Sequence, residues 1–280
     1  MDPLVGEEEQ LDNRRSRFSE NRGTFPFAFA LLLLVIEEVV MAFVDPILGL
    51  LISFVGAFVV VVLPYVVGSG QAVRGAMQCF SLLFLSRVAM TVVPALILSP
   101  SMLIVVVYGV YLSICAVYVA EKRLPLKDVG FRASSIRGQI LGGLALGVTM
   151  GVVEFAILNP DISKYLLFGE FSPATVSYVL VVMFLFVGLG EELLFRGLVQ
   201  TSFEKVFARP LTSVVIVSFL FAMMHAAYVT SLVTTLELVY VFVAATVIGY
   251  SFMKTRSLLL PVIAHGTANT ILFGILPYML

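Results

Sequence analysis

Long apolar runs, separated by short polar stretches, dominate the chain from Phe25 to its C-terminus. Each run is about 20 residues long, which is the length that an α-helix needs to cross the hydrocarbon core of a bilayer. Only Asp45 and Pro46 separate the first two runs, so these form either a tight hairpin or one broken element. The pattern predicts nine helices, with eight membrane spans as the alternative count, at about residues 25–44, 47–67, 76–98, 102–120, 136–158, 174–200, 211–229, 232–253 and 257–280.

Composition indicates that these helices lie in a membrane. Of the 280 residues, 60% are hydrophobic and 12% are charged, which is about half the charge of a typical soluble domain. The sequence therefore predicts an all-α fold, a polytopic transmembrane helix bundle. We expect a polar, mobile tail at residues 1–24, N-terminal transmembrane helices at residues 25–130 and a C-terminal bundle at residues 131–280. The net charge of −1, without a basic and aromatic pattern, does not suggest a nucleic-acid partner.

Basic residues are distributed unevenly between the two sides of the predicted membrane. Cytoplasmic segments are enriched in Lys and Arg, and with nine spans the opposite loops hold only Lys164. This bias predicts a multi-pass integral membrane protein with a cytoplasmic N-terminus. The basic residues on the cytoplasmic side would be Arg14, Arg15, Arg17, Arg22, Arg74, Lys122, Arg123, Lys127, Arg132, Arg137, Lys205, Arg209, Lys254 and Arg256.

Four polar residues on three predicted helices fall at a similar depth. Ionisable side chains inside a span cost a few kcal/mol each, about 2.5–3.5 on insertion scales, so they are functional candidates. With a rise of about 1.5 Å per residue, Glu191, His225, His265 and Asn269 lie about 12–21 Å below the cytoplasmic surface. Both histidines of the chain belong to this set. We therefore expect one shared site in a water-filled cavity that opens to the cytoplasmic side.

The stretch Gly188–Gly197, with the sequence GLGEELLFRG, supplies two glutamates that point in different directions. Glu192 and Arg196 are four residues apart, so they can form an ion pair along one helix face. Glu191 is rotated by about 100° from Glu192 and can face another neighbour. The pattern favours one supporting and one reactive glutamate. The alternative interpretation is a charge network that only holds helices together.

The other ionisable residues of the spans are interpreted as structural. Glu37 and Glu38 lack an arginine four residues later, and we expect them to face a polar interior or to pair with Arg87. For Glu154 we expect a helix–helix hydrogen bond or a supporting position near the site. For Glu237 we expect a structural role.

Glutamate, two histidines and asparagine suit the hydrolysis of an amide or ester. A carboxylate or a neutral imidazole can take a proton from water, and the amide of Asn269 can donate a hydrogen bond to an oxyanion. Zinc bound by His225, His265 and a carboxylate would also meet the three-ligand minimum of a catalytic site. We predict that the site uses no metal or other cofactor, because Asn269 suits hydrogen-bond donation to an oxyanion better than metal binding. A transporter would also bury charges at mid-depth, but no internal repeat supports that alternative.

Three motifs occur in order on successive predicted helices: Glu191–Glu192–x–x–x–Arg196, Phe221–x–x–x–His225 and His265–x–x–x–Asn269. Together they resemble the CAAX prenyl protease and bacteriocin-processing family of intramembrane endopeptidases, in particular the Ras-converting-enzyme type, called type II. The resemblance covers roughly residues 130–280, so the C-terminal bundle would be the catalytic one. The earlier helices match only in general character.

The resemblance also implies roles for individual residues. Glu191 would activate water with the aid of His225, and His265 and Asn269 would form the oxyanion hole. Glu192 and Arg196 would hold the catalytic glutamate in place, and Phe221 would be a further supporting residue.

The substrate that the resemblance implies is a prenylated CaaX protein that loses its C-terminal tripeptide, or another membrane-associated peptide. Two alternatives stay open from the sequence. One is a catalytically inactive membrane protein of the same fold with an immunity or assembly role. The other is a zinc-dependent variant of the protease.

Overall fold

The computed structural model describes residues 24–93, 100–132, 134–158, 171–229 and 231–279. The predicted tail, apart from Thr24, and Lys164 lie outside these residues. Helices and short turns make up the described residues, without a β-strand among them, which confirms the predicted all-α class. In chain order the helices are α1 (Thr24–Phe43), α2 (Pro46–Val66), α3 (Gln71–Val92), α4 (Pro100–Glu121), α5 (Ile136–Leu158), α6 (Pro173–Phe203), α7 (Pro210–Met223), α8 (Leu232–Thr255) and α9 (Leu259–Tyr278).

Eight of these helices are long and apolar enough to span a membrane, so the chain is a multi-pass integral membrane protein. The exception is α7, which has 14 residues and a length of about 21 Å, less than the hydrocarbon core of about 30 Å. The helix predicted at residues 211–229 is therefore wrong at its C-terminal end. The carbonyl of Met224 accepts a hydrogen bond of 2.6 Å from Nη2 of Arg87, and the chain leaves the helix there.

Two further helices depart from their predicted limits. α3 begins at Gln71 rather than near residue 76, because the segment from Gln71 to Arg74, with its two polar side chains, forms the first turn of the helix. α6 continues to Phe203 and contains two π-helical segments, Val182–Gly188 and Leu193–Gln200. The pattern of apolar residues gave no sign of these segments.

α1 and α2 form the tight hairpin that was one of the two predicted options. Oδ1 of Asp45 accepts a hydrogen bond of 2.8 Å from the backbone N–H of Leu48. Pro46 occupies the first turn of α2, where the missing N–H of proline is tolerated. A Cβ atom at Gly49 would lie 2.7 Å from Cβ of Met41. The two helices are therefore in contact close to the turn.

Three glycines on one face of α5 allow α9 to pack closely against it. Gly143, Gly147 and Gly151 recur every four residues, and small residues at this spacing let membrane helices approach each other. A Cβ atom at Gly147 would lie 2.5 Å from the carbonyl oxygen of Ala264 on α9. The position of α9, which carries His265, therefore depends on the absence of side chains along this face.

An aromatic cluster joins α1 and α3 to the C-terminal end of α6, which is predicted to lie on the cytoplasmic side. The ring of Phe203 contacts Phe27 of α1 edge to face at 4.9 Å and stacks on Phe80 of α3 at 6.0 Å. Phe207 contacts Phe27 at 5.0 Å. Such aromatic pairs contribute about 0.5–1.5 kcal/mol each beyond the burial of their area. α1 and α3 are thus packed directly against the helix that carries Glu191.

Candidate active site

α6 presents its two adjacent glutamates to different surroundings. Glu191 lines a cavity of about 340 Å³, whereas Glu192 is 0% exposed and is packed behind the cavity wall. Both belong to the short α-helical turn Leu189–Glu192, which has a π-helical segment on either side. π-Helical turns within α-helices occur frequently at functional sites. The two glutamates thus differ in environment in the way that their helical phase suggested.

Glu192 connects α6 to other helices through Arg196 and His265. Nε of Arg196 lies 3.1 Å from Oε2 of Glu192, at the predicted four-residue spacing. The contact is an ion pair rather than an aligned hydrogen bond, since neither atom has a hydrogen-bond partner among the described residues. Nη2 of Arg196 donates a hydrogen bond of 3.0 Å to the carbonyl of Ala245 on α8. Oε1 of Glu192 lies 2.8 Å from Nδ1 of His265 on α9.

His265 stands between the two glutamates. Its Nδ1 contacts Glu192, and its Nε2 lies 3.6 Å from Oε2 of Glu191. Ionised Glu192 can only accept a hydrogen bond, so Nδ1 of His265 is the donor. That bond fixes the orientation of the ring and directs Nε2 toward Glu191.

The Phe221 ring contacts Arg196 and both histidines. The guanidinium carbon of Arg196 lies 4.9 Å from the centroid of the Phe221 ring, a cation–π contact. The same ring lies 4.9 Å from the His225 ring and 6.0 Å from the His265 ring. Phe221 therefore keeps the two histidines and the arginine at fixed separations.

His225 lies in the turn after α7 rather than in the helix where the sequence placed it. Nδ1 of His225 lies 2.9 Å from the carbonyl oxygen of Phe221. The carbonyl can only accept, so Nδ1 carries the proton, and Nε2 is the nitrogen with the lone pair in the neutral ring. Backbone outside a helix at membrane depth is tolerated where it lines a wet cavity or is buried in protein.

A buried ion pair from the N-terminal helices holds this turn in place. Nη2 of Arg87 contacts Oε2 of Glu38 at 2.5 Å and the carbonyl of Met224 at 2.6 Å. Glu37 lies 4.0 Å from Arg87 and accepts a hydrogen bond of 2.6 Å from the hydroxyl of Ser53. The predicted pairing of Glu37 and Glu38 with Arg87 is confirmed. Through Met224, this pair also fixes the residue next to His225.

Tyr108 on α4 is a site residue that the sequence did not reveal. Its hydroxyl donates a hydrogen bond of 2.5 Å to Oε1 of Glu191. Tyr108 also lines the cavity. The chain has ten tyrosines, and no motif or spacing in the sequence connects Tyr108 with Glu191.

The cavity brings all four predicted catalytic residues together. Its walls include Glu191, His225, His265 and Asn269, which come from α6, the turn after α7, and α9. Glu154, Glu237 and Tyr240 line the same cavity, and the Tyr240 hydroxyl donates a hydrogen bond of 2.7 Å to the carbonyl of Met150. Glu154 and Glu237, interpreted from sequence as structural, are thus exposed to the same enclosed space. Apolar side chains, many of them from α8 and α9, line the cavity beside these two glutamates.

Metal ligation was the alternative use of these side chains. Among the described residues, no group of three His, Cys, Asp or Glu side chains is arranged to hold a metal ion. Glu192 and His265 already bind each other, and Nδ1 of His225 faces a backbone carbonyl. Metal independence stays a prediction, and the chelator experiment described below tests it.

Residues 173–271 match the family described as type II CAAX prenyl endopeptidase, Rce1-like. The match begins in α6 and includes all seven residues of the three motifs, while α1 to α5 precede it. It confirms the resemblance to the CAAX prenyl proteases over the region that carries the motifs, and it indicates a protease. No curated protein matches the chain, and no solved structure matches it.

Proposed function

We propose that this Rce1-like membrane protein is an intramembrane endopeptidase that uses Glu191 to activate water. The observation that carries the proposal is the division of polar groups around one cavity. Glu191, His225, His265 and Asn269 line the cavity, whereas Glu192 holds them from behind. A charge network that only joined helices would not require a cavity wall made of a base and hydrogen-bond donors.

Glu191 is the proposed general base. Oε1 accepts the hydrogen bond from Tyr108, and among the described residues no group donates a hydrogen bond to Oε2. Oε2 would take a proton from the attacking water as the water oxygen bonds to the carbonyl carbon of the substrate. The same proton would then pass to the leaving nitrogen as the peptide bond breaks. Tyr108 orients the carboxylate for both steps.

His225 is proposed to assist in holding and activating the water. Its Nδ1 proton is committed to Phe221, so a neutral ring offers Nε2 as a hydrogen-bond acceptor. Glu191 and His225 line the same cavity, which supports a water molecule shared by the two side chains. The anchor from Arg87 to Met224 keeps this ring in position.

Asn269 and His265 are proposed to stabilise the oxyanion of the tetrahedral intermediate. The amide of Asn269 is a donor that cannot become a base. Nε2 of His265 donates only in the doubly protonated ring, so His265 would need that form to serve the oxyanion. Removing one donor from an oxyanion hole costs about 100- to 1,000-fold in kcat.

The proposed substrate is a membrane-associated peptide, and a prenylated CaaX-type C-terminus is the first candidate. The cavity is enclosed by helices in the bilayer, so a lipid-anchored peptide would already lie at the right depth. We further propose that the N-terminus is cytoplasmic and that the cavity opens to that side, because of the distribution of basic residues.

The test is cleavage of a fluorogenic farnesylated CaaX peptide by the purified protein in detergent. Wild type, Glu191→Gln and Glu204→Gln should be compared, each with and without a strong chelator. Glu204 is a matched control, since it lies at the end of the α6 region and pairs with Arg256. We expect Glu191→Gln to abolish cleavage, Glu204→Gln to retain it, and the chelator to have no effect.

Each other outcome changes a different part of the proposal. Full activity of Glu191→Gln would rule out Glu191 as the base, and loss of activity with chelator would favour the zinc variant. Equal cleavage of an unprenylated peptide would remove the prenyl group from the proposal. Absence of cleavage by the wild type would favour the inactive immunity or assembly protein.

A further inference from the structure

A second cavity, of about 810 Å³, lies where the N-terminus of α3 meets the C-terminal ends of α4 and α6. Its walls carry three basic side chains, Arg74, Lys122 and Lys205. The one carboxylate that lines it, Asp128, lies 3.7 Å from Arg132, which compensates its charge. The cavity is therefore cationic.

The helix terminus and Arg74 add hydrogen-bond donors to this charge. α3 has 22 residues and begins after Gly70, which provides no side-chain cap, so the first N–H groups of the helix lack partners within it. Nε of Arg74 is buried and has no hydrogen-bond partner among the described residues, and its guanidinium lies 4.6 Å from the centroid of the Tyr65 ring. Unpaired donors at a helix N-terminus next to cations suit a phosphate group.

An apolar groove of about 610 Å³ leads from this cavity along α3 and α4. Most of its lining is apolar and includes Leu82, Leu85, Val110, Ile114 and Val117, and Glu121 is the one carboxylate residue among the residues that line it. The groove follows α4 for about 16 Å, which is about the hydrocarbon depth of one leaflet of a bilayer.

The groove and the cationic cavity are continuous. Gln78, Tyr118 and Lys122 line both of them. An apolar channel of one-leaflet depth that ends in a site for phosphate has the shape and polarity of a phospholipid.

We propose that this composite site binds an anionic phospholipid, with an acyl chain in the groove and the phosphate in the cationic cavity. Charge complementarity selects an anionic over a zwitterionic headgroup, and the groove selects a lipid over a free phosphate. The site is separate from the proposed active-site cavity and does not depend on the proposed protease activity. Gly197 and Thr201 of α6 also line the cationic cavity, so the lipid would contact the helix that carries Glu191.

Native mass spectrometry of the detergent-purified protein can measure this binding. The probes are dioctanoyl phosphatidylglycerol, dioctanoyl phosphatidylcholine and inorganic phosphate at constant ionic strength. We expect phosphatidylglycerol to bind more tightly than the other two. A basic residue near an anionic lipid strengthens binding by about fivefold, so Arg74→Gln with Lys205→Gln should weaken it by about 30-fold.

Control variants distinguish binding at this site from nonspecific attraction of anionic lipid to basic residues elsewhere on the protein. Arg137→Gln with Lys254→Gln removes two exposed basic residues elsewhere and should leave binding unchanged. Ser113→Phe would fill the groove and should weaken binding of phosphatidylglycerol, whereas Val148→Phe, an exposed position on α5, should not. The thermal unfolding temperature of each variant checks that it is folded.

The proposal is wrong if phosphatidylcholine binds as tightly as phosphatidylglycerol or if inorganic phosphate alone accounts for the affinity. It is also wrong if the control pair weakens binding as much as the cavity pair. Competition by a farnesylated peptide at the Ser113-sensitive site would instead assign the groove to the substrate and overturn the lipid proposal.

Discussion

Gly147→Ala tests whether the close packing of α5 against α9 sets the position of the candidate site. The new Cβ atom would lie 2.5 Å from the carbonyl oxygen of Ala264 and 2.6 Å from Cβ of Thr267. Ordinary contact begins at 3.4 Å, so α9 must move away by about 0.9 Å. His265 is adjacent to Ala264 and would move with it.

The displacement should affect activity far more than stability. A misplacement of about 1 Å can cost about 100-fold in rate, because catalysis requires near-exact alignment of the reacting groups. Overpacking costs about 1–3 kcal/mol, while alanine in place of glycine within a helix recovers about 1 kcal/mol. We therefore expect cleavage of the farnesylated peptide to fall by about 100-fold while the unfolding free energy falls by less than about 2 kcal/mol.

Gly142→Ala, on the same helix, is the matched control. Its Cβ atom would lie 3.5 Å from Cδ1 of Leu260, an ordinary contact, and it brings the same gain in helix propensity. The cleavage assay and thermal unfolding in detergent should be run on both variants. Equal activity of Gly147→Ala and Gly142→Ala would refute the argument that this contact positions His265.

Three further substitutions test individual contacts of the site. Tyr108→Phe removes a hydrogen bond to the charged Glu191, so kcat should fall by about 10-fold or more; an unchanged kcat would contradict an orienting role. Arg87→Leu leaves Glu38 buried without its partner and should lower the unfolding free energy by about 3–5 kcal/mol. Adding Glu38→Leu should recover most of this loss in thermal unfolding. Additive losses in the double variant would argue against an ion pair between Arg87 and Glu38. Asn269→Ala should lower kcat by about 100-fold or more with little change in KM, and an effect confined to KM would contradict oxyanion donation.

Local spacing and the cost of buried charge account for the parts of the molecule that the sequence predicted well. The four-residue interval between Glu192 and Arg196 placed both on one helix face, and they form an ion pair. Glu38 and Arg87 are far apart in sequence, but a carboxylate in an apolar span needs a cation, and few were available. The helical class and most helix limits followed from the length of the apolar runs.

Long-range contacts account for what the sequence did not predict. α7 ends where Met224 meets Arg87, a residue 137 positions away, and no local breaker marks that point. Tyr108 reaches Glu191 across 83 positions. α6 is apolar at nearly every position on both sides of Glu191 and Glu192, so its sequence shows no period that would distinguish π-helical from α-helical turns, and the π-helical segments were not predicted. Such features depend on which helices become neighbours, and the sequence pattern does not specify this.

The hydrogen bond from Arg87 to the carbonyl of Met224 limits which part of the chain can be moved to another protein as a functional unit. The recognisable segment, residues 173–271, contains every motif residue, but the turn that carries His225 is fastened from α3, and the carboxylate of Glu191 is oriented from α4. A chimera that transplanted this segment onto the first helices of another protein would keep every motif and lose both attachments. Arg87 and Tyr108 would have to be transplanted with it. The exchangeable unit is therefore larger than the segment by which the family is recognised.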